Sequence, residues 1–198
     1  MDYLQPKFYR FSQDSLWLAQ TAADTIMSPG RDKLPASLLD IGSGCGVIGI
    51  EAANKLSSIQ SLTLLEPQEE FAQYLKLNLD MLETSPKVEL SLSTIKNYAP
   101  PKKLFDLVLC NPPYFNLNES RLSPDKKRAR CRFFLEESLL EFAEEALRLT
   151  APEGEAYILA RESNPDVAKV LKVWKDQIEV AAKSRGVLIL NLFHEKGR

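Results

Sequence analysis

Short apolar runs alternate along the chain with longer segments in which apolar residues recur every three or four positions. The short runs are typical of strands buried on both faces of a parallel sheet, and the periodic segments are typical of helices that cover such a sheet. This alternation predicts an α/β fold with a doubly wound, mostly parallel seven-stranded sheet. The strands are expected at residues 37–41, 62–66, 88–93, 105–110, 155–160, 178–182 and 187–193.

Helices are expected between most of these strands. The first begins near a cap at Ser12 or Asp14 and carries apolar residues at helical spacing. The last two strands flank Ser184-Arg-Gly186, which predicts an antiparallel pair and therefore an antiparallel C-terminal strand. The other helices are expected at residues 47–56, directly after Pro67, at 132–150 and at 165–177.

Length and composition limit the possible functions. The 198 residues fit one domain, which we expect to consist of a helical cap segment (1–35) and a catalytic core (36–198). No apolar run approaches the roughly 18–20 residues that span a bilayer, and the N-terminus has no apolar signal core. Three cysteines without metal-ligand spacing and one histidine, His194, predict reduced thiols, no metal site and a cytoplasmic location.

A glycine-rich loop, Gly42-Ser-Gly-Cys-Gly46, lies between the first strand and the next helix. Such a strand–loop–helix unit directs backbone N–H groups and the positive end of a helix toward a ligand. A dinucleotide fingerprint has the pattern G-x-G-x-x-G, but Val47 occupies the position of its third glycine. The chain instead has D-x-G-x-G-x-G, beginning with Asp40.

Polar residues also follow the next two strands. Glu66 comes about twenty residues after the glycine loop, a spacing at which a carboxylate can accept both hydroxyls of a ribose lying over that loop. The alternative is an acid favoured at the start of a helix by the helix dipole. Thr94 follows the third strand. Because the carboxyl ends of parallel strands meet at one edge of a sheet, these residues are expected to lie near the glycine loop.

The fourth strand ends in Asn111-Pro-Pro-Tyr114. Two prolines cannot donate to a neighbouring strand, so the chain must leave the sheet here. The Asn111 amide and the carbonyl groups beside it can accept hydrogen bonds from a planar amino group while Tyr114 stacks on its ring. The alternative is a simple Asn-Pro turn followed by a core tyrosine.

A basic segment follows this turn. Asp125 is the only acid among six basic residues, and a cluster of this kind beside a site can hold phosphates. The alternative is an ordinary solvated face. Since the net charge of −2 does not favour nucleic-acid binding, any such surface must be local. The basic residues are Arg121, Lys126, Lys127, Arg128, Arg130 and Arg132.

The glycine loop with Asp40, Glu66 and Asn111-Pro-Pro-Tyr114 resembles the class I S-adenosylmethionine-dependent methyltransferases that act on planar nitrogens. Three further features resemble the bacterial adenine-N6 methyltransferases of valine tRNA: Tyr9-Arg-Phe-Ser-Gln-Asp-Ser15, Ala129-Arg130 and Glu195-Lys-Gly197. Two positions depart from that pattern. Thr94 stands where the wider family commonly has an acid that bonds the cofactor adenine, and Cys131 stands where the subfamily often has histidine.

The resemblance implies a Rossmann-like methyltransferase fold, S-adenosylmethionine as cofactor, and methyl transfer to the exocyclic N6 of an adenine in tRNA. The implied RNA contacts are Arg121, Lys126, Lys127, Arg128 and Arg130. The implied catalytic residues are Asn111, Pro112, Pro113 and Tyr114. The implied cofactor-binding residues are Asp14, Asp40, Gly42, Gly44, Gly46, Glu66 and Thr94.

Three alternatives remain open on the sequence. The glutamine-N5 methyltransferases of release factors share N-P-P-Y, because a carboxamide also carries a planar amino group, but they resemble a longer chain with a helical N-terminal domain. A guanine-N2 methyltransferase of rRNA is compatible with Tyr114. A non-catalytic RNA-binding module could keep the same fold, although the intact Asp40, Glu66 and Asn111 argue against it.

Overall fold

The computed structural model describes residues 2–100, 103–113, 115–116, 127, 129, 131, 133–134 and 138–195. Within these residues the α-helices are α1 (Gln13–Ile26), α2 (Val47–Lys55), α3 (Ala72–Asn78), α4 (Leu139–Leu149) and α5 (Asp166–Val173). Short 3₁₀ turns at Glu69–Phe71 and Leu79–Met81 flank α3. The strands are β1 (Ser37–Ile41), β2 (Ser61–Leu65), β3 (Lys87–Ser91), β4 (Phe105–Cys110), β5 (Phe115–Asn116), β6 (Phe133–Phe134), β7 (Thr150–Arg161), β8 (Ile178–Ser184) and β9 (Val187–Phe193).

Seven of these strands form one sheet in the order β3-β2-β1-β4-β7-β9-β8. The first five strands in that order are parallel, and β9 is antiparallel to both β7 and β8. The prediction of a mostly parallel, doubly wound sheet with an antiparallel C-terminal strand is therefore confirmed. The hairpin between β8 and β9 turns at Arg185 and Gly186, which both have positive φ angles, of 47° and 75°.

Helices cover both faces of the sheet because side chains alternate along the buried strands. Leu107 and Leu109 of β4 point into a core shared with α1 and α2, whereas Val108 and Cys110 point into a second core shared with α4 and α5. Leu38 and Leu39 of β1 divide in the same way. Burial on both faces accounts for the continuous apolar runs that predicted these central strands.

The helix expected at residues 132–150 is shorter than predicted. It begins at Leu139, where Ser138 and Glu141 form a capping box: the Ser138 side chain accepts from the Glu141 N–H, and Glu141 accepts from the Ser138 N–H. Phe134, within the range expected for this helix, instead lies in β6, which pairs with β5. The S-x-x-E pattern at 138–141 was the available signal for the true start.

The fifth sheet strand also differs from prediction, because β7 begins at Thr150 instead of 155. Its pairing with β4 jumps from Phe105–Thr150 to Leu107–Glu155, so residues 151–154 form an irregularity within the strand. A Cβ on Gly154 would lie 2.8 Å from the carbonyl oxygens of Phe105 and Asp106. Glycine is therefore required where β7 crosses this part of β4.

The described residues form neither a membrane-spanning helix nor a metal-binding cluster. No helix among them combines the length and apolar character needed to cross a membrane. No cluster of three or more His, Cys, Asp or Glu side chains among them is arranged to hold a metal ion.

Candidate active site

The carboxyl ends of β3, β2, β1 and β4 meet at one edge of the sheet, since these strands are parallel neighbours. The glycine loop leaves β1 there, and Glu66, Asn111 and Thr94 follow β2, β4 and β3. Thr94 is half-buried, and its carbonyl oxygen accepts the Asn97 N–H at 3.2 Å. The sheet therefore brings the polar strand ends to one edge, as the topology argument predicted.

Hydrogen bonds to the end of β2 fix the glycine loop. The N–H groups of Gly42 and Ser43 donate to the Leu65 carbonyl at 2.8 and 3.0 Å, and the Gly44 N–H donates to Glu66 Oε2 at 2.8 Å. Gly44 has a φ of +54°, a conformation that strains residues with a side chain. The loop is thus held in one shape by its neighbour strand.

Glu66 is only 3% exposed and uses both carboxylate oxygens within the protein. Oε1 accepts the Gln68 N–H and Oε2 accepts the Gly44 N–H, each at 2.8 Å. Burial raises the pKa of Glu66 to about 7, and the two N–H donors partly oppose that shift. Each carboxylate oxygen has a second lone pair, so both oxygens can still accept a ligand hydroxyl.

Asp40 lies beneath the loop instead of on its surface. It is completely buried, and its Oδ2 accepts the Gly49 N–H of α2 at 2.9 Å. Burial raises the pKa of Asp40 to about 7, and the charge of Glu66 adds to the shift. The Asp40–Gly49 hydrogen bond joins β1 to α2. Contact of Asp40 with a cofactor stays a prediction.

Asn111 contacts Ser15, the last residue of the Tyr9–Ser15 motif, for which the sequence indicated no partner. Its Nδ2 donates to Ser15 Oγ at 3.2 Å, from the first turn of α1. Its Oδ1 is buried and has no hydrogen-bond partner among the described residues. Pro112 is buried and Pro113 is half-buried, both outside the sheet, while Tyr114 lies outside the described residues. The strand end thus presents one uncommitted amide oxygen.

The neighbouring Asp14 does not cap α1. Ser12 occupies the N-cap position without a side-chain capping bond, and Asp14 Oδ2 instead accepts from Arg161 Nη2 at 3.0 Å. Arg161 ends β7, the strand beside β4. The first turn of α1 is therefore fixed over the carboxyl ends of β4 and β7. The predicted cofactor contact of Asp14 is not tested by this ion pair and stays a prediction.

The segment before α1 covers the glycine loop. A Cβ placed on Gly44 would lie 3.8 Å from the Tyr9 ring, and that ring packs edge-on against Phe71 with 5.2 Å between centroids. Asn78 ties the same segment to the loop, because its Nδ2 donates to both the Leu4 and Cys45 carbonyls. Tyr9, the first residue of the Tyr9–Ser15 motif, therefore lies beside the loop.

The basic segment is described only in part, since five of its basic residues lie outside the described residues: Arg121, Lys126, Arg128, Arg130 and Arg132. Lys127 Nζ is 3.2 Å from Glu70 Oε1. Cys131 Sγ accepts from Gln68 Nε2 and donates to the Lys127 carbonyl, both at 3.3 Å. The described part of the basic segment thus contacts the loop after β2, two to four residues beyond Glu66.

Comparisons with known proteins agree with this architecture. A family model described as the methyltransferase small domain matches residues 21–191. A tRNA1(Val) (adenine(37)-N6)-methyltransferase of Parabacteroides distasonis is 27% identical over 137 residues, covering 67% of this chain and 56% of that protein. A release factor glutamine methyltransferase of Rhodopirellula baltica is 28% identical over 166 residues, covering 84% of this chain and 51% of that protein. The chain spans about half the length of these two curated relatives.

A solved structure has a similar fold. The crystal structure of a ribosomal protein L11 methylase from Lactobacillus delbrueckii subsp. bulgaricus superposes with a TM-score of 0.61. The match covers 92% of this chain and 81% of that chain at 14% identity. At this identity the likeness concerns the fold alone.

Proposed function

The chain belongs to the methyltransferase small domain family, and from that premise we propose that it transfers a methyl group from S-adenosylmethionine to a planar amino nitrogen. The proposed acceptor is the exocyclic N6 of an adenine in tRNA. The observation that carries the proposal is the Asn111 amide, which has its nitrogen committed to Ser15 and its buried oxygen uncommitted among the described residues. We also propose that residues 36–198 form the catalytic core, that residues 1–35 form its cap, and that the protein acts in the cytoplasm.

The residues at the sheet edge fit the proposed cofactor. A ribose over Gly44 would meet a backbone without a side chain and an aromatic wall at Tyr9, 3.8 Å from the position of a Cβ on that glycine. The two oxygens of Glu66, which retain acceptor capacity, match a pair of vicinal hydroxyls. When bound, the cofactor supplies an electrophilic methyl group on a sulfonium. The chain's own residues bind it and orient the acceptor.

Asn111 would act on the acceptor amine. The lone pair of an exocyclic nitrogen is delocalised into its ring, so the nitrogen attacks well only as it becomes tetrahedral. The Asn111 Oδ1 and the Pro112 carbonyl oxygen would each accept a hydrogen bond from one N–H of the acceptor amine. Both hydrogen bonds strengthen as positive charge develops on the nitrogen. Stacking on Tyr114 would contribute roughly 1–3 kcal/mol to holding the base.

This chemistry needs no strong general base, because the proton leaves after the nitrogen has been alkylated. The only histidine is far from the proposed site: His194 Nε2 lies 3.0 Å from the carbonyl of Thr150, at the amino end of β7. Asn111 follows the carboxyl end of the neighbouring β4. A mechanism based on amide and carbonyl acceptors suits this distribution of side chains.

Adenine in tRNA is proposed because relatives named as tRNA1(Val) (adenine(37)-N6)-methyltransferases recur among the similar proteins. The basic residues between 121 and 132 supply local positive charge for phosphate contacts, although the whole chain has a net charge of −2. Glutamine in a release factor is the second candidate, because the relative of that name covers more of this chain than the Parabacteroides protein does. Both acceptors carry a planar NH₂ group.

The test offers tritiated cofactor and purified protein to tRNA, rRNA and release-factor pools separately, followed by nucleoside and amino-acid analysis. Label in N6-methyladenosine from tRNA is expected. Label in N5-methylglutamine or in N2-methylguanosine would show that adenine N6 is not the acceptor. Cofactor binding without any methyl transfer would contradict the proposed chemistry. An Asn111→Ala variant with unchanged circular dichroism is the control for contaminating activity.

A further inference from the structure

The side-chain amide of Asn111 can adopt two orientations that differ by half a turn and have nearly the same shape. In one orientation, Oδ1 faces the acceptor amine and can accept a hydrogen bond from it. In the other, Nδ2 faces the amine, and two N–H donors oppose each other. The proposed chemistry therefore requires that the amide be held in the first orientation.

The bond from Asn111 Nδ2 to Ser15 Oγ supplies that constraint. Ser15 is only 2% exposed, so water does not compete freely for the hydroxyl. Turning the amide would let the same hydroxyl donate to Oδ1, because a serine hydroxyl both donates and accepts. Both Nδ2 hydrogens would then occupy the buried position where Oδ1 has no partner among the described residues, at the cost of an unsatisfied buried donor. The 3.2 Å contact thus favours the orientation in which Oδ1 is uncommitted.

Ser15 is itself fixed by the helix that carries it. The adjacent Asp14 is bonded to Arg161 at 3.0 Å, and the next turn buries Leu18 and Ala19 completely. The first turn of α1 is therefore held both by the end of β7 and by the core. A hydroxyl on such a turn has little freedom to follow a rotating amide.

We propose that Ser15 is a positioning residue for methyl transfer, whose hydroxyl holds the Asn111 amide with Oδ1 toward the acceptor amine. The inference rests on the proposed function, and Ser15 itself does not touch the acceptor. It also gives the segment before the sheet a part in the chemistry, because Ser15 and Asn111 are 96 positions apart in the chain.

The main experiment measures single-turnover methyl transfer, on the pool that accepts label, for Ser15→Ala with Ser12→Ala as the matched control. Ser12 is a serine of the same helix start that makes no side-chain capping bond. We expect Ser15→Ala to slow transfer about tenfold, as loss of one hydrogen bond of ordinary strength would. Cofactor affinity should change less than about twofold, and Ser12→Ala should leave the rate within about twofold of the parent.

A double-mutant cycle separates positioning from general support of the fold. If Ser15 acts through Asn111, then Ser15→Ala should have almost no further effect on the rate in an Asn111→Ala background. A purely structural role would slow both backgrounds by the same factor. Ser15→Cys, which keeps the side-chain shape with a somewhat larger atom that is a weaker acceptor, should behave like Ser15→Ala and replaces it if that variant does not fold.

A second readout needs neither substrate nor cofactor. In nitrogen-labelled protein, the Asn111 side-chain amide protons should exchange with solvent at least about tenfold faster in Ser15→Ala than in the parent. They should be unaffected by Ser12→Ala. Unchanged exchange or an unchanged single-turnover rate in Ser15→Ala, or equal slowing in both backgrounds, would overturn the inference. If Asn111→Ala alone leaves the rate intact, the proposed function fails first.

Discussion

The Gly44 N–H and Glu66 Oε2 are joined by a hydrogen bond of 2.8 Å. This bond connects the loop after β1 to the residue after β2, so Glu66 shapes the loop as well as supplying charge. Its other oxygen accepts the Gln68 N–H at the same distance. A change at Glu66 should therefore affect loop geometry and ligand affinity together.

Replacement of this acid tests that double role. Glu66→Gln should weaken cofactor binding by about 1–3 kcal/mol, because an amide NH₂ must face one of the two backbone donors and the charged acceptor is lost. Isothermal calorimetry measures the effect. Glu69→Gln, at an exposed position three residues later, is the control and should leave affinity unchanged. Equal affinities in both variants would remove Glu66 from the site.

Gly44 can be compared with a glycine of similar backbone shape far along the chain. Gly44 and Gly186 have φ angles of +54° and +75°, and at neither position would a Cβ clash with an atom of the described residues. Alanine at either site should cost about 1 kcal/mol of stability through backbone strain. Only Gly44→Ala should also lower the affinity for the cofactor, because the added methyl group occupies the space over the loop. Equal cofactor affinity in the two variants would contradict this site.

The two buried acids predict how stability depends on pH. Asp40 and Glu66 have pKa values of about 7, raised from 3.8 and 4.5 by burial. The folded protein therefore keeps protons that the unfolded chain releases. This contribution to stability is fully present below the unfolded pKa values and is lost as pH rises through about 7.

Urea unfolding should accordingly give a larger free energy of unfolding at about pH 5.5 than at about pH 8. In Glu66→Gln the difference should shrink. Glu141 has the opposite shift, because its bonds with Lys96 and Ser138 lower its pKa to about 2. Its effect on stability therefore changes only in more acidic solution. A free energy that rises between these two pH values, with no change in the variant, would show that the buried acids do not control stability.

Gly49 should reverse the usual effect of alanine in a helix. Alanine normally stabilises a helix interior by about 1 kcal/mol relative to glycine. At Gly49, however, a Cβ would lie 2.9 Å from Leu64 Cδ2 and 3.1 Å from Asp40 Oδ2. Gly49→Ala should therefore destabilise the protein by about 1–3 kcal/mol in urea unfolding. Combined with Leu64→Val, the loss should be smaller than the sum of the single losses; a more stable Gly49→Ala would refute the packing argument.

The basic segment can be tested through the salt dependence of RNA binding. Neutralising Arg128 and Arg130 should weaken tRNA binding and reduce the log–log salt slope by about one unit per lost phosphate contact. Lys127→Ala should change the slope less, because Glu70 already balances that charge at 3.2 Å. Cofactor affinity should stay the same. Parent-like tRNA affinity of the double variant at every salt concentration would favour the glutamine acceptor.

Sequence reasoning succeeded where burial leaves a local pattern. The runs around Leu38 and Val108 are continuous because β1 and β4 are covered on both faces, and parallel order then places Glu66 and Asn111 at one edge. Helix ends were less accurate. The helix α4 starts later than the hydrophobic period indicates, because the Ser138–Glu141 capping box fixes its first turn.

Contacts between distant parts of the chain were not accessible in the same way. Ser15 reaches Asn111 across 96 positions, and the sequence marks Ser15 only as the end of the Tyr9–Ser15 motif, without indicating that partner. Tyr9 opens the same motif, and its position beside Gly44 becomes visible only when the fold brings the two together. Asp40 is completely buried, and its bond to the Gly49 N–H joins α2 to β1, a contact that the sequence did not indicate. Its contact with the cofactor stays a prediction.

The ion pair between Asp14 and Arg161 has a consequence for the order in which the protein folds. It joins residues 147 positions apart, so the loop it closes is among the longest in the chain. Contacts of such high sequence separation form late, since their entropy must be offset by structure already in place. The first turn of α1 reaches its final position only after β7 has entered the sheet. In refolding experiments, competence to bind ligand should therefore return after the bulk of the secondary structure.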